Sequence, residues 1–237
     1  MGFAERPRGR SQAAPDGEMK PRGSLSPRAT VIIVNWNGWH YLGHCIDSIR
    51  AANASDVGIL VIDNASSDRS ADRLAQAYPM VGLIRNDRNV GHTRAVNQGL
   101  RAVDSEFVMI LDADTECSPD AIGKLAAFLD EHPDVDLVVP RTFDSDGVIQ
   151  ETARNFPTAI SGLFGRQGAL THLFPGNPFS RRYLQRDSLH ARDPFRVQSV
   201  ASSCMFFRKS LVDRVGGWDE GYVGYFVDTD WCHRLHR

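Results

Sequence analysis

The sequence predicts an α/β protein with a mostly parallel central sheet flanked by helices. Short β-branched runs alternate along the chain with segments in which apolar residues recur at helical spacing. This alternation is typical of strand–helix–strand units, whose helices cover both faces of a parallel sheet. The 237 residues, 42% of them hydrophobic and 24% charged, are enough for one full core. We find no internal repeat and no second hydrophobic core, so we expect a single domain.

Five strands are predicted, most of them followed by a helix. Each is a short apolar run of the kind that a buried strand requires. The predicted strands are Val31–Val34, Ile59–Ile62, Val81–Ile84, Phe107–Leu111 and Val135–Val139. Ser67 is predicted to cap the helix after the second strand, and Ser118 with Pro119 to open the helix after the fourth. Residues 154–196 lack periodicity and predict long loops and short helices.

Charge and composition exclude several classes of protein. The formal net charge of −2 argues against a dedicated nucleic-acid binder. The longest apolar runs fall far short of the ~20 residues that a membrane span requires. The four cysteines show no zinc-site spacing and are expected to be reduced thiols.

Residues 1–28 carry six Lys/Arg against three Asp/Glu and have no apolar periodicity. We therefore expect a disordered basic tail, with the folded domain at residues 29–237. A solvated leader is the simpler interpretation, although a basic tail can also touch an anionic membrane surface. A secretory signal needs an apolar stretch that the tail lacks, so a cytoplasmic location is expected.

Polar residues end three of the predicted strands. Asn35, Asp63 and Asp112 stand at these ends. Ligands of parallel sheets bind beyond the carboxyl ends of the strands, so these side chains predict a binding site. Asp112 and Asp114 are two residues apart and point the same way if the chain is extended, and paired carboxylates suit Mg²⁺ or Mn²⁺ together with substrate phosphates. A solvated turn would explain the same two residues.

Two nucleotide-binding motifs are absent. The first strand-to-helix turn reads Asn35–Trp39, with tryptophans where a dinucleotide fold needs glycines, and no Walker A sequence is present. Asp63 can accept the N3–H of a uracil or thymine ring. It can equally bond backbone amides in its own turn.

The ordered motifs resemble those of family-2 glycosyltransferases, in particular the rhamnosyltransferase-like branch. The resemblance covers about residues 29 to 237. It is carried by Val31–Gly38, Val61–Asp68, Asn89–Gly99, Phe107–Asp114, Cys204–Lys209, Gly216–Glu220 and Asp228–Cys232. It implies a GT-A fold, in which a nucleotide-binding half and an acceptor-binding half share one sheet.

The resemblance also implies roles for individual residues. Asp63 would hold the pyrimidine base, Asp112 and Asp114 would hold a metal–diphosphate, and Asp228 falls where the family places its general base. Further substrate-binding residues would be Asn35, Arg94, Asn97, Trp218 and Asp219. The aromatic residues around Asp228 form either an acceptor platform or part of the core. They are Trp218, Tyr222, Tyr225, Phe226 and Trp231.

Three departures from the family pattern leave an alternative open. Val227 stands where the family has Glu, Ser202-Ser203 replaces Gly-Ala, and the chain ends at Arg237, before a late His of the relatives. The sequence therefore predicts either of two functions. The first is inverting, metal-dependent transfer of a sugar, such as rhamnose, from a dTDP- or UDP-sugar to a glycan or lipid-linked glycan acceptor, with peripheral contact at the inner face of the membrane. The second is a nucleotide-sugar-binding pseudoenzyme or a truncated fragment.

Overall fold

A mixed six-stranded sheet forms the centre of the molecule, in the strand order β3-β2-β1-β4-β8-β5. The computed structural model describes residues 27–52, 56–158, 171, 173–174, 176–222 and 224–237. The strands of this sheet are β1 (Ala29–Asn35), β2 (Val57–Asp63), β3 (Gly82–Arg85), β4 (Phe107–Asp112), β5 (Leu137–Val138) and β8 (Cys204–Arg208). The first four run parallel, as predicted.

Helices cover both faces of the sheet. In the described part of the chain they are α1 (Trp39–Ala51), α2 (Ser70–Ala77), α3 (His92–Ala102), α4 (Ala121–Glu131), α5 (Pro178–Tyr183), α6 (Ser210–Val215) and α7 (Val227–Leu235). Two short strands, β6 (Ala153–Arg154) and β7 (Ser199–Val200), form a separate antiparallel pair. α7 packs against β7, so this second pair belongs to the half of the molecule that carries Asp228.

The alternation of side chains along β1 builds two cores. Val31 and Ile33 pack on one face with residues of α1 and α4. Ile32 packs on the other face with residues of α3, α6 and α7. Successive side chains of a strand point to opposite faces, so an uninterrupted apolar run is needed when both faces are covered. This confirms the prediction of a strand buried on both sides.

The sheet is mixed because β8 enters it between β4 and β5. β8 runs antiparallel to both neighbours, with Met109 opposite Phe206 and Val138 opposite the same residue on the other side. β5 is also shorter than the predicted Val135–Val139 strand. After the long segment that follows β5, the chain therefore enters the sheet as an interior strand, and β5 remains the edge strand.

Both predicted N-caps are wrong. α2 begins at Ser70, and the Asp68 carboxylate accepts a hydrogen bond from the Ser70 backbone N–H at 2.9 Å. α4 begins at Ala121 after Asp120, which has a positive φ of 61°. Ser118 instead accepts a backbone bond from Ala121 in the preceding turn. In both places the helix begins two residues later than predicted.

The predicted tail boundary also differs from the structure at Arg28. Its guanidinium pairs with Glu106 at 3.0 Å and Asp130 at 2.7 Å, and therefore belongs to the folded part. Residues 1–26 of the predicted tail lie outside the described residues. In the part of the chain that the structure describes, no helix has the length and apolar character of a membrane span. All four cysteines are free thiols.

Candidate active site

The ends of β1 and β2 meet as the sequence predicts. Asn35 and Asp63 are register partners, and both side chains are buried. The Asn35 amide Nδ2 donates to Asp63 Oδ1 at 3.0 Å, while Asp63 Oδ2 accepts from the Ser66 backbone N–H at 3.1 Å. These bonds fix the Asp63 carboxylate in place. Binding of a pyrimidine base by Asp63, and direct substrate contact by Asn35, stay predictions.

Asn35 carries a buried acceptor without a partner. No described residue donates a hydrogen bond to its Oδ1 atom. Gly38 approaches this atom so closely that an added Cβ would lie 2.9 Å from it, so the first strand-to-helix turn requires glycine at position 38. An unsatisfied buried acceptor costs free energy and marks a place where a water or ligand donor would be stabilising.

Asp112 is the last residue of β4, and Asp114 lies in the turn that follows, closed by a hydrogen bond from the Thr115 N–H to the Asp112 carbonyl at 3.1 Å. The prediction of extended chain through both residues is therefore wrong, because the strand ends at Asp112. Val34 is the register partner of Asp112, which places the carboxylates one strand away from Asn35. Neither carboxylate forms an ion pair with a described residue. Burial raises the pKa of Asp112, the negative charge of Asp114 raises it further, and His92 opposes both effects. A cation between the carboxylates would relieve this unfavourable charge.

His92 belongs to this site, although the sequence analysis did not single it out. It is the first residue of α3, and its ring centroid lies 5.8 Å from that of Trp218. Burial lowers the pKa of His92, and the Asp112 carboxylate works in the opposite direction. The available sequence signal was a titratable residue directly after Gly91, at the start of a helix that follows a strand end.

A network of side-chain amides holds the loop before α3. Asn64 donates to Asn89 Oδ1 at 2.8 Å and accepts from Asn86 at 3.1 Å and from the Val90 backbone at 3.0 Å. Asn86 and Gln98 exchange two bonds of 2.9 Å. Because these residues join the end of β2 to the start of α3, they fix the position of His92 relative to Asp63.

Arg94 and Asn97, both predicted to contact the donor, bond to the segment that follows α6. Arg94 Nε lies 3.3 Å from Glu220 Oε2. Asn97 is buried and clamps the Trp218 backbone, with its Nδ2 2.8 Å from the Trp218 carbonyl and its Oδ1 2.9 Å from the Trp218 N–H. Substrate contact by either residue stays a prediction. What the structure shows is that they tie α3 to the Gly216–Glu220 motif.

Trp218 and Trp231 lie in the core, not on an exposed aromatic platform. Trp218 is 2% exposed, and its indole N–H finds no partner among the described residues. Trp231 is fully buried and donates its indole N–H to the Gly216 carbonyl at 3.0 Å. Asp219 accepts a bond from the Gly221 N–H in a tight turn. The aromatic residues left exposed in this segment are Tyr222, Tyr225 and Phe226.

Asp228, the predicted general base, lies in the first turn of α7 and is partly exposed. Its Oδ1 accepts from the Thr229 backbone N–H at 2.7 Å. Phe226, just before the helix, has a φ of 66°, a conformation that costs a bulky residue roughly 1–2 kcal/mol. Such strain clusters at functional sites. Val227, in the place of the family's Glu, is buried in the core and makes no polar contact there.

The carboxylates at the end of β4 fit a divalent cation that shares its coordination with substrate. Asp112 and Asp114 offer hard oxygen ligands that form no ion pair within the described part of the chain. Among the described residues, no group of three or more acidic, His or Cys side chains could hold a metal ion alone. Mg²⁺ typically binds through one or two carboxylates and completes its shell with water and phosphate oxygens. The site therefore fits a metal that arrives with, or is held by, a diphosphate.

Comparison with known proteins agrees with this geometry. The sequence profile described as glycosyl transferase family 2 matches residues 30–216, which is most of the chain. The chain belongs to glycosyl transferase family 2. It is thus a glycosyltransferase by family. It is 29% identical over 218 residues to an N-acetylglucosaminyl-diphospho-decaprenol L-rhamnosyltransferase of Mycobacterium tuberculosis, covering 87% of this chain and 70% of that protein.

Solved structures share the GT-A fold of this glycosyltransferase. S. aureus TarS residues 1–349 superpose with a TM-score of 0.59 at 16% identity, covering 87% of this chain. A mannosyltransferase of Pyrobaculum calidifontis, solved with GDP-Man and Mn²⁺, gives a TM-score of 0.54 at 19% identity over 86% of this chain. The chain spans 55% and 50% of the lengths of these two structures. At this identity the likeness concerns the fold.

Proposed function

We propose that this glycosyltransferase transfers a sugar from a nucleoside diphosphate to a hydroxyl group of a glycan acceptor, with inversion at the anomeric carbon and with a divalent metal bound. The observation that carries the proposal is the pair of carboxylates Asp112 and Asp114, which form no ion pair with a described residue and lie at the same end of the sheet as the hydrogen-bonded Asp63 carboxylate. Mg²⁺ or Mn²⁺, bound together with the diphosphate, would supply the positive charge that these carboxylates lack.

The donor half would use three carboxylates in two roles. Asp63, held by Asn35 and Ser66, presents an acceptor to the N3–H of a uracil or thymine ring. Asp112 and Asp114 would hold the metal, which, when bound, stabilises the negative charge that develops on the departing diphosphate. A dTDP- or UDP-sugar is therefore the proposed donor, and rhamnose is the first sugar to test because the mycobacterial relative is named as a rhamnosyltransferase.

The reaction step would be a direct displacement. The acceptor hydroxyl oxygen forms a bond to the anomeric carbon while the bond from that carbon to the phosphate oxygen breaks. The nucleoside diphosphate leaves with the electron pair, and the hydroxyl proton passes to the Asp228 carboxylate. A general base of this kind contributes roughly 10²–10⁴ in rate.

The acceptor is proposed to be a glycan, with a lipid-linked glycan at the inner face of the cell membrane as its specific form. The name of the mycobacterial relative includes a polyprenyl-diphosphate-linked sugar. Tyr225 and Phe226, three and two residues before Asp228, are exposed, with Tyr225 82% exposed. Exposed aromatic side chains bind sugar rings and also suit a membrane interface.

Asp228→Asn tests the proposal. The amide keeps the oxygen that accepts the Thr229 N–H bond but cannot take a proton, so we expect transfer to fall by about 10²–10⁴ while nucleotide binding is unchanged. The assay supplies labelled dTDP- and UDP-sugars with acceptor as free glycan or as polyprenyl-diphosphate glycan in vesicles.

Asp230→Asn is the matched control, because Asp230 lies in the same helical turn and pairs with Arg234 at 2.9 Å. It should retain transfer. Full turnover by Asp228→Asn would remove Asp228 from the role of base. Nucleotide binding by the unsubstituted chain without any transfer would favour the pseudoenzyme instead.

A further inference from the structure

His92 is rigidly placed at the edge of the candidate site. It follows Gly91, whose φ of 87° lets the chain turn into α3. The amide network around Asn64 fixes the preceding loop, and the ring lies against Trp218 with 5.8 Å between centroids. The backbone just before the imidazole is therefore held by hydrogen bonds next to the candidate site.

The imidazole of His92 has unused hydrogen-bonding capacity. It is half-buried, and neither ring nitrogen bonds to any described residue. An imidazole ring carries at least one N–H donor in either of its protonation states. The bond of 3.0 Å from the Val90 N–H to Asn64 Oδ1 ties the loop before His92 to the carboxyl end of β2, at the same end of the sheet as Asp112.

The other polar residues of this turn are occupied. Thr93 donates its hydroxyl to the Tyr222 carbonyl at 3.2 Å, and Arg94 pairs with Glu220. Asn97 uses its amide on the Trp218 backbone. His92 is thus the side chain at the start of α3 that remains available to a ligand.

We propose that His92 donates its ring N–H to a phosphate oxygen of the donor and so makes the site selective for nucleoside diphosphates over nucleosides. This inference rests on the proposed function, since it takes the diphosphate to bind beside Asp112. A phosphate oxygen accepts strong, charge-assisted hydrogen bonds, and the partly buried position of the ring protects the bond from competing water.

His92→Phe tests the contact because phenylalanine keeps a flat ring against Trp218 and removes both nitrogens. Calorimetric titration with UDP and dTDP in the presence of Mn²⁺ should show affinity about tenfold weaker than that of the unsubstituted chain. Titration with uridine and thymidine, which lack phosphate, should show no change. His92→Gln, which restores an N–H donor, should recover part of the diphosphate affinity.

His44→Phe is the control, since His44 is an exposed histidine on α1, and it should bind like the unsubstituted chain. Equal diphosphate affinity for His92→Phe and the unsubstituted chain would overturn this inference and leave the proposed function standing. Parallel losses for nucleosides and diphosphates would also overturn it, because they would indicate a structural role. Failure of the unsubstituted chain to bind any nucleoside diphosphate would overturn the proposed function and this contact together.

Discussion

At the scale of single residues, burial of charge is the main feature of the site. Asp112 is largely enclosed, and burial together with Asp114 raises its pKa, which means that the ionised form destabilises the fold. Asp63 is also buried, but it receives hydrogen bonds from Asn35 and Ser66. The two carboxylates therefore differ: both oxygens of Asp63 accept a hydrogen bond, whereas the Asp112 carboxylate accepts none from a described residue.

Asp112→Asn should therefore stabilise the ligand-free protein. The amide removes a buried charge, and we expect the free energy of unfolding at pH 7 to rise by about 1 kcal/mol, as is common for neutralised functional residues. A raised pKa in the folded state means that the unsubstituted chain gains stability as pH falls through that pKa and takes up a proton. The difference between the two proteins should shrink accordingly at low pH.

Urea denaturation at pH 7 and at acidic pH measures both effects. Glu116→Gln, which changes an exposed carboxylate in the same loop, is the control and should leave stability unchanged. A less stable Asp112→Asn protein at pH 7 would show that the fold itself uses this charge, contrary to our account.

At the scale of elements, α3 is the helix that connects the two halves. Its inner face packs on β1 and β2, and Asn97 and Thr93 hold the segment that leads to α7. Gly99 allows the close approach to the sheet, because an added Cβ would lie 2.6 Å from Ile32 Cγ2 and 3.1 Å from Ile62 Cδ1. A small displacement of α3 would move His92 relative to Asp112.

Two glycine-to-alanine changes should have opposite effects on stability. Gly99→Ala forces α3 away from Ile32 and should cost about 1–3 kcal/mol through overpacking. Gly123→Ala lies within α4, where an added Cβ meets no atom within 4 Å, and should gain about 0.5–1 kcal/mol from helix propensity. Thermal unfolding measures both. If the two variants shifted the midpoint in the same direction, the close packing of α3 on the sheet would be in doubt.

The sequence predicted strands better than helix starts, for a physical reason. A continuous apolar run, such as Val31–Val34, directly predicts a buried parallel strand. A cap depends on a few hydrogen bonds that can shift by several residues. Asn37 Oδ1 in the first loop accepts a hydrogen bond from the Ser67 N–H, and Asp68 accepts one from the Ser70 N–H at the start of α2. Ser67 therefore bonds to Asn37 in the first strand-to-helix loop and does not cap α2.

Site positions were predictable where they follow from strand ends, and not where they depend on distant partners. Asn35, Asp63 and Asp112 converge because parallel strands end at one edge of a sheet. The partners of Arg94 and Asn97 lie more than 120 residues further along the chain, and local patterns do not record such pairs. The antiparallel position of β8 was not predicted for a related reason. An apolar run in the sequence does not show which strands it will pair with, or in which direction.

At the scale of the whole molecule, the proposed donor and acceptor halves share one sheet and are joined by a few hydrogen bonds. The Asp112 backbone N–H donates to the Ser203 carbonyl at 2.9 Å, which places the segment before β8 directly beside the proposed metal site. Because both halves contact Asp112 or its neighbours, occupation of the donor site should stabilise the entire chain.

Thermal unfolding with UDP, dTDP, GDP and ADP, each with and without Mn²⁺, tests the central claim most directly. A ligand at 100 times its Kd adds about 2.7 kcal/mol, which for a domain of this size raises Tm by roughly 5–10 °C. We expect this rise for a pyrimidine diphosphate with Mn²⁺, and we expect it to disappear without the metal or in Asp112→Asn. No shift with any of the four nucleotides, or an equal shift in Asp112→Asn, would contradict a metal–diphosphate site at the end of β4.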